Sequence, residues 1–275
     1  MKAAPFEYLA AESAAQACAL LAAGGRDSLS KVCGGSQSLG PMLNLRLARP
    51  KLLVDVSKLA AMLAIEDRGN AWRLGGAVTH AAIEDANLAG LSVLSEVARD
   101  IAYRIIRNRG TIGGSLAHAD PAADWPLALP ALAANICIAG PAGERQVAAE
   151  DFMTGAFATV LTEDEIVVAV EVPKLSASAR WGYWKFCRKT GEFPEASAAV
   201  LLDPARKLAR LWIGALNGAP QSLSTLAADV AQRGTLAVTE LAIGQALERA
   251  APTLDYAGRR LHIAAVQRAV KKACD

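Results

Sequence analysis

The sequence has few side chains that could hold a metal. Its five cysteines, Cys18, Cys33, Cys137, Cys187 and Cys274, are scattered, and none forms a CxxC pair. Iron–sulfur clusters and structural zinc need several thiolates at close spacing, so neither is expected here. An odd, dispersed set also argues against a disulfide framework. The three histidines, His80, His118 and His262, form no HExxH or comparable pair. Excess charge is missing too: a net charge of +2 and a pI near 8.3 give no footprint for nucleic acid, and no RNA- or DNA-reading motif occurs. The start, MKAAPFEYLA, carries no apolar stretch behind a basic end. The alanine-rich runs elsewhere are too short and interrupted to span a bilayer. A cytoplasmic protein with no membrane span and no nucleic-acid partner is the expectation. Two nucleotide fingerprints, GxGxxG and GxxxxGK[ST], are absent, which disfavours a Rossmann site and a P-loop.

What is present is ample apolar material, 53% of 275 residues, enough for one to three compact units. Phe6 to Leu9 reads as a strand, followed by a helix with Ser13 and Gln16 at capping-box spacing and a stop at Gly24–Gly25. Lys31 to Cys33, Leu52 to Val56 and Trp72 to Leu74 read as short strands. Thr79 is placed to cap a helix running through Leu88. Apolar spacing from Val93 to Arg107 predicts one amphipathic helix, with Arg99, Arg104 and Arg107 on its polar side. Asn108 to Pro126, rich in glycine and proline, is expected to be largely irregular. Leu127 to Ala134 then reads as a helix, Asn135 to Ala139 as a strand and Pro141 to Gly143 as a turn. In Glu165 to Val172, Ile166, Val168, Val170 and Val172 alternate as one strand face. Lys174 to Arg180 is the best linker. Strands near 181–187, 196–202 and 207–213 precede helices near 224–232, 238–249 and 260–273. Strands first and helices afterward predict an α+β C-terminal domain with a three-stranded antiparallel sheet.

Two glycine loops carry the chemistry. In Cys33-Gly34-Gly35-Ser36-Gln37-Ser38-Leu39, paired glycines permit close backbone approach, and successive free N–H groups make an anion nest suited to a pyrophosphate. An ordinary strand-to-helix turn explains the same residues. The second loop, Arg107 to Ser115, again pairs glycines with hydroxyls. It leads into Leu116 to Pro126, which holds Asp120 and Asp124. A carboxylate there can accept from ligand hydroxyls; a turn or helix cap is the competing role for each aspartate.

The first loop resembles the AGGxSL segment of FAD-binding medium subunits in the xanthine dehydrogenase and carbon monoxide dehydrogenase family. RNRGTIGGSLAHADPAADWP resembles that family's second flavin loop almost throughout, and similarity extends over essentially the whole chain. Further support comes from residues 45–50, 75–80 and 140–145. The resemblance implies an α+β protein: a two-lobed FAD-binding region of the vanillyl-alcohol-oxidase type, then a smaller α+β domain. The corresponding boundaries are 1–57, 58–175 and 178–275. It implies noncovalent FAD, with Val32, Cys33, Gly34, Gly35, Ser36, Gln37, Ser38 and Leu39 at the pyrophosphate beside Thr111, Gly114 and Ser115. Thr79, His80, Ala117, His118, Asp120 and Ala123 fall on the family's cofactor-proximal pattern. Asp124 matches the carboxylate that contacts ribityl or ribose hydroxyls. Ile101 and Ala102 end a helix facing the first loop, and Leu161 and Ile166 sit where apolar residues flank the ring.

Lys185 matches a lysine near the pyrimidine end of the flavin, where a fixed cation favours reduction. A solvated strand lysine is the plain alternative. Phe193 is placed to shield a ring face or simply to fill core. Around it the sequence departs from the family: Glu192 replaces an aspartate, and Pro194–Glu195 replaces small residues. Arg99, Arg104, Arg107 and Arg109 form a solvated face or a docking face. Cys33 stands where alanine is common, as small filler. The implied function is electron transfer within a heteromeric molybdenum hydroxylase. Its molybdenum cofactor would sit on a large molybdopterin-binding subunit and its [2Fe-2S] clusters on a small one, assembled as a dimer of heterotrimers. A self-contained flavoenzyme with its own substrate is the second reading, and an assembly module without cofactor the third.

Overall fold

The computed structural model describes residues 2–23 and 30–275. The chain opens with β1 (Glu7–Ala10), α1 (Ala14–Ala23), β2 (Ser30–Cys33), α2 (Leu39–Asn44) and β3 (Leu52–Asp55). The three strands form a parallel sheet in the order β1-β3-β2, with Glu7 and Ser30 both paired to Leu52. Ser13 caps α1 by accepting from the Gln16 N–H at 3.1 Å, as the spacing predicts. The return bond is displaced by one residue, because the Gln16 side chain accepts from the Glu12 N–H. The expected stop at Gly24–Gly25 lies outside the described residues.

Next come α3 (Ala60–Leu63), β4 (Ile65–Asp67), β5 (Ala71–Gly75), α4 (His80–Asp85), α5 (Val93–Arg99), α6 (Arg104–Arg107), α7 (Ile112–His118) and α8 (Asp124–Ala131). They are followed by β6 (Asn135–Gly140), β7 (Gly143–Ala148), α9 (Ala149–Phe152), β8 (Met153–Gly155), β9 (Ala158–Thr159) and β10 (Ile166–Pro173). A five-stranded antiparallel sheet runs β4-β5-β10-β6-β7. Its central strand, β10, is buried on both faces. Ile166 and Val168 face the core beneath α1, while Val170 and Val172 face the core beneath α5 and α8. The single apolar face expected from alternation is therefore split. A register shift between Val167 and Ala169 changes the phase of the side chains midway.

Residues 174–179 bridge to β11 (Arg180–Phe186), β12 (Ala196–Asp203), β13 (Leu208–Gly214) and β14 (Gln221–Ser222), which form an antiparallel sheet. It has four strands where three were expected, because the two-residue β14 pairs with Trp212 and Ile213. The linker is tied down by Asp203, which accepts from the Ser176 hydroxyl at 2.5 Å and its N–H at 3.1 Å. Helices α10 (Ser224–Arg233), α11 (Glu240–Ala250) and α12 (Tyr256–Cys274) cover one face and enclose a separate core. His262 is wholly buried there, its ring nitrogens 2.8 and 2.9 Å from the carbonyls of Gly258 and Gly214.

Three further helix expectations are corrected. Thr79 does cap α4, accepting from the Ala82 N–H at 3.1 Å, but the helix ends at Asp85 and not at Leu88. The single helix from Val93 to Arg107 is broken into α5 and α6 around Ala102, which has φ +42°. The cause is Arg107: its guanidinium turns inward and donates to the Ile101 and Ala102 carbonyls at 2.9 and 3.2 Å. Asn108 to Pro126 is not largely irregular but contains α7 and the first turn of α8, which runs from Asp124 and stops short of Ala134.

The tightest approach in the C-terminal unit is α12 on β11. A Cβ on Gly182 would stand 1.9 Å from the Ala269 carbonyl oxygen. Gly182→Ala must push helix and strand apart, so a loss of about 1–3 kcal/mol in unfolding free energy is expected. Chemical denaturation with α12 helicity as the probe checks it; an unchanged midpoint would contradict the contact.

Candidate functional site

The first glycine loop leaves β2 and enters α2. Gly35 lies under the second loop so closely that a Cβ would be 1.8 Å from the Arg109 carbonyl oxygen. Gly34 faces the Thr111 side chain, where a Cβ would be 3.1 Å from Oγ1. After them the backbone turns through Ser36, which takes a left-handed φ of +58°. Among the described residues, the N–H groups of Gly34, Gly35, Ser36, Gln37, Ser38 and Leu39 meet no acceptor. Backbone amides normally pair, so six consecutive donors without a partner among the described residues have the form of an anion-binding nest. Cys33 hydrogen-bonds Ser36 Oγ at 2.8 Å, and burial raises its thiol pKa, which fits a packing role.

The second loop is arranged differently. Thr111 caps α7 through its Oγ1, which accepts from the Gly114 N–H at 3.1 Å. The N–H groups of Ile112 and Gly113 donate to the carbonyls of Val78 and Gly76. The first turn of α7 is thus committed internally, unlike the amides of the first loop. Gly113 sits against Gly76, where a Cβ would be 2.6 Å from the carbonyl oxygen. Gly114 differs: a Cβ there would meet only Thr111 Oγ1 within 4 Å, and otherwise open space. Ser115 and Ala117 continue this accessible side of α7.

Thr79 and Thr111 bridge the two segments as an antiparallel pair, with the His80 N–H bonded to the Gly110 carbonyl at 2.9 Å. The His80 side chain points inward, only 6% exposed, and its Nδ1 accepts from Trp125 Nε1 at 3.0 Å. Burial, aided by the Arg107 charge, pulls its pKa down to about 4, so the ring is neutral. His80 supports the loops from behind; its ring leaves no room for a Cβ on Gly110. His118 lies at the other end of α7, tilted against Phe157 with ring centroids 5.2 Å apart. Asp120 closes a turn by accepting from the Ala122 N–H at 2.9 Å, and Ala123 is the N-cap residue of α8.

Asp124 is not a helix cap. It occupies the first turn of α8, 7% exposed, and its Oδ1 accepts from both Tyr183 Oη at 2.5 Å and Lys185 Nζ at 2.7 Å. Its Oδ2 takes no hydrogen bond from any described residue and is not sealed from solvent. Lys185 is no solvated strand lysine either: its side chain is 12% exposed and also donates to the Asp100 carbonyl at 2.8 Å. The structure therefore joins Asp124, Lys185 and the α5–α6 turn in one cluster. Ile101 and Ala102 lie on that turn, half-buried. Tyr103 presses against Gly191, where a Cβ would meet its ring at 2.6 Å. Two residues on, Phe193 is 62% exposed, so it fills no core.

Other expected members lie apart. Ile166 is 2% exposed inside the core beneath α1, and Leu161 packs on the edge of the main core. The arginines do not form one solvated face. Arg107 is buried and grips Glu84 through Nε at 2.8 Å, Arg104 pairs with Glu84 and Asp85, and Arg99 and Arg109 are exposed. Tyr183 escaped the sequence reading, although its position two residues before Lys185 on β11 places both on one strand face.

The chain matches the family model described as "FAD binding domain in molybdopterin dehydrogenase" over residues 4–175. It is 38% identical over 207 residues to the nicotine 6-hydroxylase medium subunit of Paenarthrobacter nicotinovorans, covering 74% of this chain and 71% of that one. It is 35% identical over 221 residues to the carbon monoxide dehydrogenase medium chain of Hydrogenophaga pseudoflava, covering 79% and 76%. Among solved structures it resembles quinoline 2-oxidoreductase from Pseudomonas putida 86, with a TM-score of 0.87, 30% identity, and 99% and 98% of the two chains covered.

The buried imidazole makes stability depend on pH. Its ordinary pKa of 6.5 falls to about 4 in the folded chain. Above 6.5 neither state is charged at this site. As pH falls from 6.5 toward 4, the unfolded chain binds a proton that the folded chain refuses, so stability drops by up to about 3 kcal/mol. Asn at this position cannot titrate. The stability gap between wild type and His80→Asn should narrow by that amount between pH 7.5 and 4 in urea melts, whereas a constant gap would sink the assignment.

Proposed function

This chain belongs to the family of FAD-binding domains found in molybdopterin dehydrogenases, and from that premise we propose how its residues hold and serve the cofactor. It is an FAD-binding oxidoreductase subunit of the molybdenum hydroxylase type. The observation that carries the residue-level reading is the row of six free N–H groups from Gly34 to Leu39, facing Thr111 across the Gly35–Arg109 contact. Such a row of donors suits an anionic group, and a pyrophosphate is one long enough to engage several of them. The residues present therefore fit FAD.

The first loop binds the pyrophosphate through its amides, with the hydroxyls of Ser36, Ser38, Thr111 and Ser115 as further donors. Gly114 leaves the adjoining space open. Asp124 offers Oδ2 to a ribityl or ribose hydroxyl. Lys185 spends two protons on Asp124 and Asp100, keeping the third for the pyrimidine end of the ring. Phe193 and Tyr103 supply aromatic surface near that end. FAD, when bound, supplies the electron-carrying chemistry.

In partner terms, the relatives are named as a hydroxylase medium subunit, subunit alpha of a dehydrogenase complex and a dehydrogenase medium chain. The same arrangement is proposed here: electrons arrive from [2Fe-2S] clusters on a small subunit, having left a molybdenum cofactor on a large subunit. An external acceptor then takes them. A dimer of heterotrimers in the cytoplasm is the proposed assembly; no described helix is long and apolar enough to cross a membrane. The division into 1–57, 58–175 and 178–275, with FAD between the first two as in the vanillyl-alcohol-oxidase type, is supported by the three main sheets, each of which falls inside one segment.

Purified chain should show the yellow absorbance of FAD that is released on denaturation, the sign of noncovalent binding. A colourless protein that cannot be reconstituted would overturn the reading. Two glycine variants should separate. Gly114→Val should lose FAD with a smaller loss of stability, because its first carbon displaces only the Thr111 Oγ1 cap and the rest of its side chain enters ligand space. Gly35→Ala should lose FAD and also about 1–3 kcal/mol of stability, because it drives the loops apart. Isothermal titration with FAD and thermal melts measure both.

A further inference from the structure

Tyr183 is a buried ionisable group that the proposed cofactor contacts leave unused. It is 3% exposed, its ring stacks on Trp181 at 6.4 Å with an interplanar angle of 4°, and its hydroxyl donates to Asp124 Oδ1 at 2.5 Å. Lys185 Nζ donates to the same oxygen at 2.7 Å. One carboxylate oxygen therefore serves two donors, while Oδ2 serves none among the described residues. We propose that Tyr183 is a positioning residue for the flavin: it saturates Asp124 Oδ1, fixing Oδ2 toward the ligand and sparing the Lys185 ammonium from full engagement with the carboxylate.

Three observations support this. Burial and the neighbouring Asp124 carboxylate push the Tyr183 phenol pKa well above its ordinary value, so the group stays a donor throughout the working pH range. The alternative acceptors for a wholly buried phenol are few, and the bond it makes is charge-assisted, the stronger kind. Lys185 is held from both sides, by Asp124 and by the Asp100 carbonyl, so a change at Oδ1 alters where the cation sits. Without the phenol, the carboxylate would lean on Lys185 alone. The cation would move toward Asp124, and an unscreened negative charge would remain beside the ligand. Both changes make a gain of electrons by the flavin less favourable.

The inference rests on the assignment of Asp124 and Lys185 to the cofactor, and the test separates the two ideas. Full-length wild type, Tyr183→Phe, Asp124→Asn, the double variant and Trp181→Phe are each loaded with FAD. Affinity is read by flavin fluorescence and the midpoint potential by dye equilibration. Tyr183→Phe keeps the ring and should weaken FAD about tenfold and lower the potential. Asp124→Asn should weaken FAD at least as much, and the double variant should be no worse than Asp124→Asn alone. Trp181→Phe disturbs the same packing but leaves the hydroxyl, so its potential should match wild type.

A weakened Asp124→Asn beside an unaltered Tyr183→Phe overturns the positioning role alone. So does full additivity in the double variant, or a Trp181→Phe potential shifted as far as that of Tyr183→Phe. Wild-type affinity in Asp124→Asn would remove the cofactor role of Asp124, and the positioning role with it.

Discussion

Backbone lies directly on backbone where the chain at Arg109 and Gly110 crosses Gly35, and much of the site follows from that crossing. A methyl group at Gly35 would overlap the Arg109 carbonyl, so the two loops approach more closely than any side chain permits. The same closeness propagates away from the site. Gly110 fits against the His80 ring, Gly113 against the Gly76 backbone, and Gly76 against the Val167 carbonyl of the central strand β10. Each contact is short because one partner lacks a Cβ. The loops are thereby registered to the five-stranded sheet mostly through rigid main chain, with the buried His80 ring as the one side chain in the series, which suits a site that must hold its geometry closely.

Behind the loops, polar groups are buried in two ways with different physical costs. His80 is neutral and needs one hydrogen-bond partner, which Trp125 supplies, so its burial is inexpensive near neutral pH. Arg107 is charged and has to be compensated. Glu84 takes its Nε and Nη2, and the Ile101 and Ala102 carbonyls take Nη1. Removing one partner would strand the rest. That arginine also dictates the backbone: by capping the end of α5 it stabilises the left-handed turn at Ala102 and delivers Asp100 and Tyr103 to the C-terminal unit.

These long-range contacts explain what could and could not be read in the sequence. The short strands, the Thr79 cap and the three C-terminal helices were legible because they rest on local periodicity and capping chemistry. The glycine loops were legible as places of close approach. What they approach was not: nothing local says that Gly35 meets the Arg109 backbone while Gly114 meets only the Thr111 hydroxyl. The helix break at Ala102 was hidden because its cause, Arg107, lies at a position whose periodicity reads as solvent-facing. The phase change in β10 was hidden because one extra residue between Val167 and Ala169 leaves an uninterrupted apolar run unchanged in appearance. Asp124 taken singly reads better as a helix cap, and nothing local signals that it pairs instead with Tyr183 and Lys185, some sixty residues on.

The Asp124–Lys185 pair is best understood through what it withholds. A buried ion pair contributes little net stability, since desolvation of both charges consumes most of the attraction. Its value lies in geometry. With Oδ1 occupied twice, the carboxylate can rotate only by breaking two charge-assisted bonds, so Oδ2 is held in one direction. With two protons committed, the ammonium has one direction left as well. The first loop reaches an analogous condition by another route, because its six amides are held by the Gly35 crossing and find no acceptor among the described residues. In both places the fold keeps polar valences open at fixed positions, and this costs stability that the neighbouring apolar cores must offset. Open valences of opposite character, amide donors at one end and an acceptor with a cation at the other, are what the proposed placement of FAD would engage.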